Sequence, residues 1–384
     1  MMWERVKLAD VSDSCLGKML DQRKNKGIYK PYLANVNVRW GAFDLDNLQE
    51  MKFEDDEDER YGIKYGDLII CEGGEPGRCA IWKEQLPNMK IQKALHRLRV
   101  NEEMDYRYVY YWFLLAGKQG ALKQYYTGAT IMHMPGQKLK EVVIDKPPLD
   151  VQRKIGDYLE AFDDLIKNNQ KQIKLLEEAA QRLYKEWFVD LRFPGYEDVE
   201  IVDGVPEGWE ITPINMVANL KAGGDKPKTF SEKMTNENKI PVFANGITGK
   251  GLMGFTDKAV INNPSVTISA RGTVGVVFLR TEPYVPIVRL ISVTPIEDKV
   301  DILYLYLYLI NQNFRSTGAA QQQITVPLLK SKNIICPTDD VRKSFNDVIT
   351  SIFNKIDILE KHINKLTEAR DRLLPKLMNG EIEV

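Results

Sequence analysis

Residues 127–188 of this chain read TGATIMHMPGQKLKEVVIDKPPLDVQRKIGDYLEAFDDLIKNNQKQIKLLEEAAQRLYKEWF, and the chain contains this stretch twice. The second copy begins 190 residues further on and keeps its register without a gap. Thr127-Gly-Ala returns as Thr317-Gly-Ala, and Arg182-Leu returns as Arg372-Leu. Internal repetition outranks other sequence signals when architecture is inferred. The sequence therefore predicts a two-fold duplication.

The second part of the repeated stretch predicts a long amphipathic helix. From Asp150 onward, apolar residues recur at steps of three and four, and the positions between them are mostly Lys, Glu, Gln and Asp. This pattern is typical of a helix with a coiled-coil-like seam. The predicted seam consists of residues 151, 155, 158, 162, 166, 173, 176, 180, 183 and 187, and in the copy of Val341, Phe345, Val348, Ile352, Ile356, Leu359, Ile363, Leu366, Leu373 and Leu377.

One seam position is polar in only one copy. Asn169 stands in the first helix where Leu359 stands in the second. A polar residue at a seam position can fix helix register at some cost in stability. We therefore expect the two-fold symmetry to break at this point.

The predicted fold is mixed α/β (α+β), in which two globular units alternate with two long helices. Antiparallel packing of the helices would bury both seams, and an internal partner at high effective concentration is favoured over the competing arrangement, a coiled-coil dimer between chains. The expected boundaries are 1–148 for the first globular unit, 149–190 for the central helix, 191–338 for the second unit, 339–378 for the C-terminal helix and 379–384 for a tail.

Both globular units contain a strand–glycine–strand pattern. In the first unit the buried-strand run 66–71 precedes a glycine-rich centre, and in the second the run 264–270 does the same. Two apolar runs around glycines predict a hairpin, with glycine supplying positive φ or close backbone approach. We expect these glycines to be required by the conformation of the turn rather than by contact with a ligand. The pairs that correspond are Gly74 with Gly272 and Gly77 with Gly275.

Several other segments of the globular units have a simple interpretation. Tyr32–Val38 reads as an alternating strand-like segment, and the acidic run EDDEDER at 54–60 as a solvated loop that faces away from any DNA, because it would repel phosphates. Tyr106–Leu115 reads as a short aromatic-rich helix, and Leu303–Leu309 is its counterpart in the second unit. The aromatic side chains expected in the core are Tyr110, Trp112, Tyr304, Tyr306 and Tyr308.

Composition excludes several classes of protein. The chain has 384 residues, 43% of them apolar and 28% charged, which suits two or three ordinary globular domains. Its formal net charge of −1 means that a nucleic-acid partner must be met by a local basic face. The apolar runs are too short to span a membrane, and the N-terminus is charged too early for a signal peptide. Four cysteines without a CxxC pair and three scattered histidines favour a reduced, cytoplasmic setting without a metal site.

No arrangement of residues indicates an active site. The segment 246–251, Gly-Ile-Thr-Gly-Lys-Gly, lacks both the spacing and the Ser/Thr of a phosphate-binding loop. Asp145-Lys-Pro-Pro148 differs from a methyltransferase Asp-Pro-Pro-Tyr by an inserted lysine and a missing aromatic residue. Carboxylates are abundant but form no evident catalytic pair. The sequence therefore predicts a non-catalytic chain.

Along nearly its full length the chain resembles the specificity (S) subunits of type I DNA restriction–modification enzymes. The resemblance is carried by the TGA…LK…PP-x-x-x-Q segment at Thr127–Gln152, by Glu186-Trp-Phe-Val-Asp190, by Pro206-Glu-Gly-Trp-Glu210, and by the GDLII and RGTVG segments of the two units. The duplication itself is the most specific sign. The resemblance implies two target-recognition domains, each reading one half of a split DNA sequence, with two helices as the spacer between them.

The resemblance also implies partners and cofactors. It implies double-stranded DNA, two methyltransferase (M) subunits docked on the helices, and restriction (R) subunits, but no membrane. S-adenosylmethionine, ATP and Mg would be bound by those partner subunits and not by this chain. A non-restriction DNA-binding scaffold of a related anti-phage or modification-only system is the alternative. The residues expected at the subunit interface are Arg182, Tyr184, Trp187, Phe188, Arg372 and Leu374.

Candidate DNA contacts are polar and basic residues near the predicted turns. Arginine bidentate to guanine, and Asn or Gln bidentate to adenine, are the side chains that direct major-groove readout favours. An isolated Arg or Lys more often contacts solvent or phosphate, and the Gln triplet could equally cap the following segment. The candidates are Asn37, Arg39, Trp40, Arg78, Lys83, Tyr125, Tyr126, Thr127 and His133 in the first unit, and Lys226, Lys228, Asn245, Lys250, Arg271, Arg280, Gln321, Gln322 and Gln323 in the second.

Overall fold

The computed structural model describes residues 3–21, 23–296, 298–314 and 323–384. The chain forms two compact units. Unit 1 comprises Met1–Asn169 and Lys361–Val384, and unit 2 comprises Gln170–Glu360. No helix in the described part of the chain combines the length and the apolar composition that crossing a membrane requires.

Unit 1 contains short strands, four short helices and the first part of a long one among its described residues. The strands are β1 (Glu4–Lys7), β2 (Ser12–Leu16), β3 (Ile28–Leu33), β4 (Val38–Arg39), β5 (Ala42–Phe43), β6 (Gln49–Phe53), β7 (Leu68–Cys71), β8 (Cys79–Ile81), β9 (Lys90–Ile91), β10 (Leu95–Val100) and β11 (Val143–Lys146). The helices are α1 (Leu8–Val11), α2 (Asp58–Tyr61), α3 (Tyr106–Gln119), α4 (Gly136–Lys140) and the beginning of α5 (Leu149–Phe188).

Unit 2 has a similar inventory. The strands are β12 (Ile201–Val202), β13 (Val205–Pro206), β14 (Glu210–Pro213), β15 (Ala218–Ala222), β16 (Ile240–Phe243), β17 (Leu252–Thr256), β18 (Ser265–Ile268), β19 (Val277–Arg280), β20 (Val285–Pro286), β21 (Ile291–Pro295) and β22 (Asn333–Cys336). The helices are α6 (Ile302–Ile310), α7 (Val326–Lys330) and α8 (Asp339–Met378), whose last part belongs to unit 1.

The two units share one sheet topology. An antiparallel four-stranded sheet has the order β2-β10-β7-β8 in unit 1 and β15-β21-β18-β19 in unit 2. A three-stranded sheet follows the order β6-β3-β9 or β17-β16-β20, and its second pair is parallel in both units. The pairs β1-β11 and β14-β22 also correspond. The predicted duplication is therefore confirmed in topology, even where the two sequences differ.

The two glycine hairpins and the aromatic helices are also confirmed. Strand β7 pairs antiparallel with β8, and β18 with β19. Helix α3 packs against β8, and α6 packs against β18 and β19. Tyr108 and Tyr304 are almost fully buried within these helices. The segment Tyr32–Val38 differs from its prediction, because strand β3 ends at Leu33 and a 3-10 turn at Asn35–Asn37 follows.

The long helices keep the predicted seam, with one correction at the same repeat position in each. Tyr158 and Val348 are 58% and 46% exposed, so their assignment to the seam is wrong. Their neighbours Leu159 and Ile349 are fully buried instead. Tyr158 and Leu159 are adjacent and both apolar, so the sequence did not decide which of them belongs to the seam. Counting back from Ile166 by the heptad steps of four and then three residues gives position 159.

The strongest departure from two-fold symmetry is a buried ion pair in unit 1. Arg370 Nη1 of α8 lies 2.5 Å from Asp163 Oδ1 of α5, and the hydroxyl of Tyr111 donates to Asp163 Oδ2 at 2.8 Å. At the repeat-related positions stand the apolar residues Phe353 and Ala180. The helices therefore carry a charged pair at a site where the other copy is apolar.

The break in symmetry expected at residue 169 stays a prediction. Asn169 is 8% exposed and Leu359 is 3% exposed, so both occupy buried positions. Burying a neutral amide side chain among apolar residues costs less free energy of folding than burying a charge that lacks a partner. The charged pair is therefore the more costly of the two features to leave unpartnered within unit 1.

The acidic run at 54–60 is largely exposed, as predicted, but it is a folded element and its interpretation as a loop is wrong. It forms a 3-10 turn at Asp55–Glu57 followed by α2, and its carboxylates neutralise three buried lysines of the neighbouring strands. Lysine is rarely buried without a charged partner. These ion pairs are Lys18–Glu57 at 2.5 Å, Lys30–Asp58 at 2.8 Å and Lys90–Asp58 at 3.2 Å.

The Asp58 carboxylate predicts an acid-dependent stability of unit 1. Burial alone would raise its pKa, but hydrogen bonds from Lys30 and Lys90 lower the pKa below its usual value of 3.8. Because the folded-state pKa is the lower one, the stabilisation is present above about pH 4 and is lost as the pH falls through the lowered value.

We expect wild-type unit 1 to lose more stability between about pH 5 and about pH 3 than Asp58→Asn does. Urea unfolding at each pH, followed by hydrogen exchange in unit 1, measures the difference. Asp56→Asn, on an exposed neighbour, is the matched control and should follow the wild type. Parallel pH profiles for wild type and Asp58→Asn would exclude this role for the carboxylate.

Candidate nucleic-acid interface

The glycine turns of the two units have the same backbone framework. Each turn is closed by a glycine N–H that donates to a carbonyl at the end of the preceding strand in unit 1, or one residue after it in unit 2, and each is tied to a distant loop by a second bond. These bonds are Gly77 N to Cys71 O (2.9 Å) and Met134 N to Glu72 O (2.7 Å) in unit 1, and Gly275 N to Ser269 O (2.9 Å) and Ile324 N to Ala270 O (3.1 Å) in unit 2. Arg271 thus occupies the place of Gly73, and Gln323 that of His133.

In unit 1 the side chains around the turn bond mainly to one another. The predicted candidates Trp40, Arg78 and Tyr126 do gather here, together with Asn35 and Glu75. The contacts are Asn35 Nδ2 to Gly73 O (2.7 Å), Arg78 Nη2 to Asn35 Oδ1 (2.8 Å), Arg78 Nη1 to Glu75 Oε2 (3.2 Å), Trp40 Nε1 to Glu75 Oε1 (2.7 Å) and Tyr126 OH to Pro76 O (2.5 Å). Most of the polar groups of this cluster are therefore already paired.

The neighbouring loop 127–133 offers the open groups of unit 1. Thr127 and His133 exchange two backbone hydrogen bonds of 2.8 and 2.9 Å, which close the loop at its base. Both residues are exposed, and so are Ile131 and Met132 at the tip. The structure therefore brings Thr127 and His133 together beside the glycine turn, as a surface available to a ligand.

In unit 2 the turn carries an exposed arginine. Arg271 is exposed, and a Cβ built on the adjacent Gly272 would meet no atom of the described residues within 4 Å. Asn245 supports the turn from the loop after β16, because its Oδ1 accepts from Ala270 N at 2.9 Å. Its Nδ2 donates to Val288 O at 2.7 Å. The Asn245 amide therefore joins the glycine turn to the loop that contains Val288.

A second exposed arginine, which the sequence did not single out, faces the same space. Arg271, Arg289 and Gln323 line one open cavity of about 290 Å³. The other residues that line it are Ala222, Ile291, Ile324, Thr325 and Val326, so the lining contains no carboxylate. Unit 2 therefore presents two guanidinium groups and a carboxamide together.

Two DNA-contact candidates are buried parts of the fold, and their assignment is corrected. Asn37 is 9% exposed; its Oδ1 accepts from Ala34 N at 2.9 Å and its Nδ2 donates to Asp44 O at 3.0 Å. Arg280 is 5% exposed and lies 3.6 Å from the ring centre of Phe243. Burial lowers the pKa of Arg280 to about 10. Both side chains stabilise loops and have no surface left for a base.

Three further candidates are held by neighbours within their own units. Lys83 Nζ lies 2.5 Å from Glu160 of α5, and Lys250 Nζ lies 2.9 Å from Glu360 of α8. The hydroxyl of Tyr125 accepts from Val143 N at 3.2 Å. These contacts connect the globular parts to the long helices or to strand β11, which is a structural role.

The remaining candidates lie apart from these groups, except Gln323, which lines the cavity with Arg271. Arg39 donates to two nearby carbonyls, and the Lys226 ammonium lies 3.5 Å from the ring centre of Phe230. Lys228 and Gln323 are exposed. Gln321 and Gln322 lie outside the described residues. The described residues contain no cluster of three or more His, Cys, Asp or Glu that could hold a metal ion.

Four of the six residues assigned to the subunit interface are core residues, so that assignment is corrected. Tyr184, Trp187 and Phe188 pack in the aromatic core of unit 2, and Leu374 packs in the core of unit 1. Amphipathic spacing alone does not distinguish a seam that faces the domain core from one that faces a partner. Arg182 and Arg372 are exposed, with side chains 83% and 78% accessible.

Comparison with known proteins identifies the family. A profile described as the type I restriction modification DNA specificity domain matches residues 2–178 and 206–368, which is most of the chain. The chain belongs to this family. It is a type I restriction–modification specificity subunit by sequence, and the two profile matches coincide with the two copies of the topology described above.

Individual relatives agree with the family assignment. The type I restriction enzyme MjaIX specificity subunit of Methanocaldococcus jannaschii is 29% identical over 344 residues, which is 83% of this chain and 78% of that protein. A putative type I specificity subunit of Mycoplasma pneumoniae is 28% identical over 73% of this chain and 82% of its own length. The crystal structure of the S subunit from M. genitalium has a TM-score of 0.59 at 18% identity, covering 98% of this chain and 96% of that one, and so shares the fold.

Proposed function

We propose that this chain is the DNA-reading subunit of a type I complex, in which each unit reads one half of a bipartite, asymmetric target. The observation that carries the proposal is a common framework with different exposed side chains. The turn position occupied by Gly73 in unit 1 carries Arg271 in unit 2, and the loop position of His133 carries Gln323. Side chains that reach base edges specify sequence, so different side chains at equivalent places imply different half-targets.

We assign the two long helices to the spacer between the recognition domains, in the form of an antiparallel coiled coil. Contacts within each unit support this arrangement. In unit 1, Asp163 of α5 contacts Arg370 of α8, and the Lys154 ammonium donates to the Val384 carbonyl at 3.1 Å. In unit 2, the rings of Trp187 and Phe345 lie 5.5 Å apart. The partners of positions 163 and 187 of α5 are positions 370 and 345 of α8, and the partner of position 154 is Val384, which follows the end of α8.

A stiff spacer suits a split target for a physical reason. Two readers must meet the same groove in phase with the DNA repeat of about 34–36 Å. A helical pair maintains that spacing better than a flexible linker, because its length is set by the rise per residue. The recognition domains would then correspond to 1–148 and 191–338, with spacer helices at 149–190 and 339–378.

The partners follow from the family. The chain would act without catalysing a reaction itself, with two M subunits docked on the helices and R subunits joined to the complex. S-adenosylmethionine, ATP and Mg would be bound by those subunits, in the cytoplasm. Because Tyr184, Trp187 and Phe188 of α5 are buried, the exposed helix faces that carry Arg182 and Arg372 are the better docking candidates.

Deleting the gene is expected to abolish adenine methylation at one split DNA motif in the host. Modification mapping of genomic DNA with the gene intact, deleted and restored measures this directly. If the gene is intact and no split methylated motif disappears on deletion, the proposed function is wrong. DNA binding that persists in such a strain would instead favour the non-restriction scaffold.

A further inference from the structure

We propose that unit 2 reads guanine in its half-target through Arg271 and Arg289, whereas unit 1 has no arginine at either equivalent position. This inference rests on the proposed function and names the bases that one half of the site recognises. Arginine bidentate to the O6 and N7 atoms of guanine is the most common base-specific contact in the major groove. The two half-targets would then differ in guanine content because the two units differ in free guanidinium groups.

The position of Arg289 follows from hydrogen bonds that recur in both units. Arg289 occupies the place of Ala94, and both residues have positive φ, +65° and +88°. At the equivalent positions unit 1 therefore has Gly73 and Ala94 where unit 2 has Arg271 and Arg289. The bonds that establish the match are Gly17 N to Leu95 O (2.9 Å) and Lys93 N to Lys18 O (2.8 Å) in unit 1, and Gly223 N to Leu290 O (2.8 Å) and Val288 N to Gly224 O (2.9 Å) in unit 2.

The loop that carries Arg289 is held in an uncommon conformation. Val288 and Arg289 both have positive φ, at +53° and +65°, a region that β-branched residues rarely adopt. Asn245 holds this loop through Val288 O and holds the Arg271 turn through Ala270 N. Strained backbone that is fixed by its surroundings is concentrated at ligand-binding sites. One amide side chain thus fixes both arginine-bearing loops before DNA arrives.

The two guanidinium groups are available for a ligand. Within the described parts of the chain, neither Arg271 nor Arg289 has an acidic partner within ion-pair distance, and both are exposed. The arginine nearest to the glycine turn of unit 1, Arg78, is 18% exposed, and its two terminal nitrogens bond to Asn35 and Glu75. The outer edge of its guanidinium is therefore already engaged within the protein.

The geometry favours a base edge over a phosphate. A phosphate contact requires only a positive charge at the right place and carries no sequence information. Here two planar guanidinium groups and the Gln323 carboxamide converge on one open cavity. Planar side chains with several donors and acceptors are those that discriminate base edges.

The first experiment is modification mapping in the host with Arg271→Ala, Arg289→Ala and Arg289→Lys in the full complex. We expect each variant to relax one guanine position in the same half-target by about 10- to 100-fold, with the other half unchanged. Lysine should not restore discrimination, because it lacks the bidentate fork. Lys258→Ala, an exposed cation outside the cavity, is the matched control and should leave the motif intact.

A second experiment needs no variant and so does not depend on folding of the mutants. Binding of the wild-type complex is measured on target duplexes in which 7-deazaguanine replaces guanine in one half or the other. We expect about a tenfold or greater loss when the substitution lies in the half read by unit 2. Equal binding to both duplexes, or a uniform loss of methylation with an unchanged motif, would overturn the guanine assignment. Failure of the proposed function would look different, since the wild type would then produce no split motif at all.

Discussion

Phe188→Ala is expected to destabilise unit 2 by about 3–5 kcal/mol, because a large buried ring is removed and a cavity remains. Phe188 is 3% exposed. Its ring centre lies 4.7 Å from that of Tyr304 and 4.8 Å from that of Phe345, both in edge-on geometry. The ring therefore joins α5 to α6 and to α8 within one aromatic cluster, and its loss should loosen all three elements.

Hydrogen exchange followed by mass spectrometry measures this effect, because it reports unit 2 separately from unit 1. Protection of amides in α6 and in the first half of α8 should fall, while unit 1 is little changed. Val189→Ala is the control, since Val189 is the next residue along the chain and is 57% exposed, so its change should stay within about 0.5 kcal/mol. If amide protection in Phe188→Ala equals that of the wild type while binding of M subunits is lost, Phe188 is part of the docking surface and not of the core.

The repeated frame explains why so much of the fold could be predicted. Two copies constrain each other, so a pattern that is ambiguous in one copy can be checked in the other. The glycine hairpins are an example, because Gly74 and Gly272 occupy the same place and both have positive φ. The exposed Tyr158 and Val348 show the limit, since both copies share the same ambiguity and the comparison could not resolve it.

The candidate site was harder to predict because burial and partners depend on distant residues. Arg280 was chosen as a surface cation, since arginine is usually exposed. In unit 2 Arg280 follows Leu279 in strand β19 and lies opposite Ser265. The residue of unit 1 that matches Leu279 is Ile81, so the residue that matches Arg280 is Trp82, which is buried. Aligning the strands of the two units, in addition to the helices, would have indicated that position 280 is internal.

Arg289 was missed for a different reason. It follows the short strand β20 in a left-handed turn that contains neither Gly nor Asn, the residues that normally signal such a conformation. No local sequence signal marks the turn. Only its counterpart, Ala94 at φ +88°, reveals that the conformation belongs to the shared framework.

The buried pair between Asp163 and Arg370 gives the second large expected effect. Arg370→Leu should destabilise unit 1 by about 3–5 kcal/mol, because it leaves the Asp163 carboxylate buried without its charged partner. The side chains of Asp163 and Arg370 are only 14% and 15% exposed. Asp163→Asn should cost less, because Arg370 keeps a 2.9 Å contact with Asp371 and the new amide can still accept from Tyr111.

The double variant Asp163→Asn/Arg370→Leu distinguishes a register device from a simple stabilising contact. Removing both charges should recover much of the loss seen in Arg370→Leu, since the repeat-related positions are apolar and pack well in unit 2. Urea unfolding with hydrogen exchange in unit 1 measures the cycle, and Arg372→Leu, whose side chain is 78% exposed, is the control with an expected change within about 0.5 kcal/mol. If the double variant regains stability while modification mapping shows methylation at altered half-target spacing, the ion pair sets the register of the helices. If the double variant regains stability and the spacing of the half-targets is unchanged, the ion pair has no part in the register. If the double variant is as unstable as Arg370→Leu, each charge also makes stabilising contacts in unit 1 besides the one with its partner.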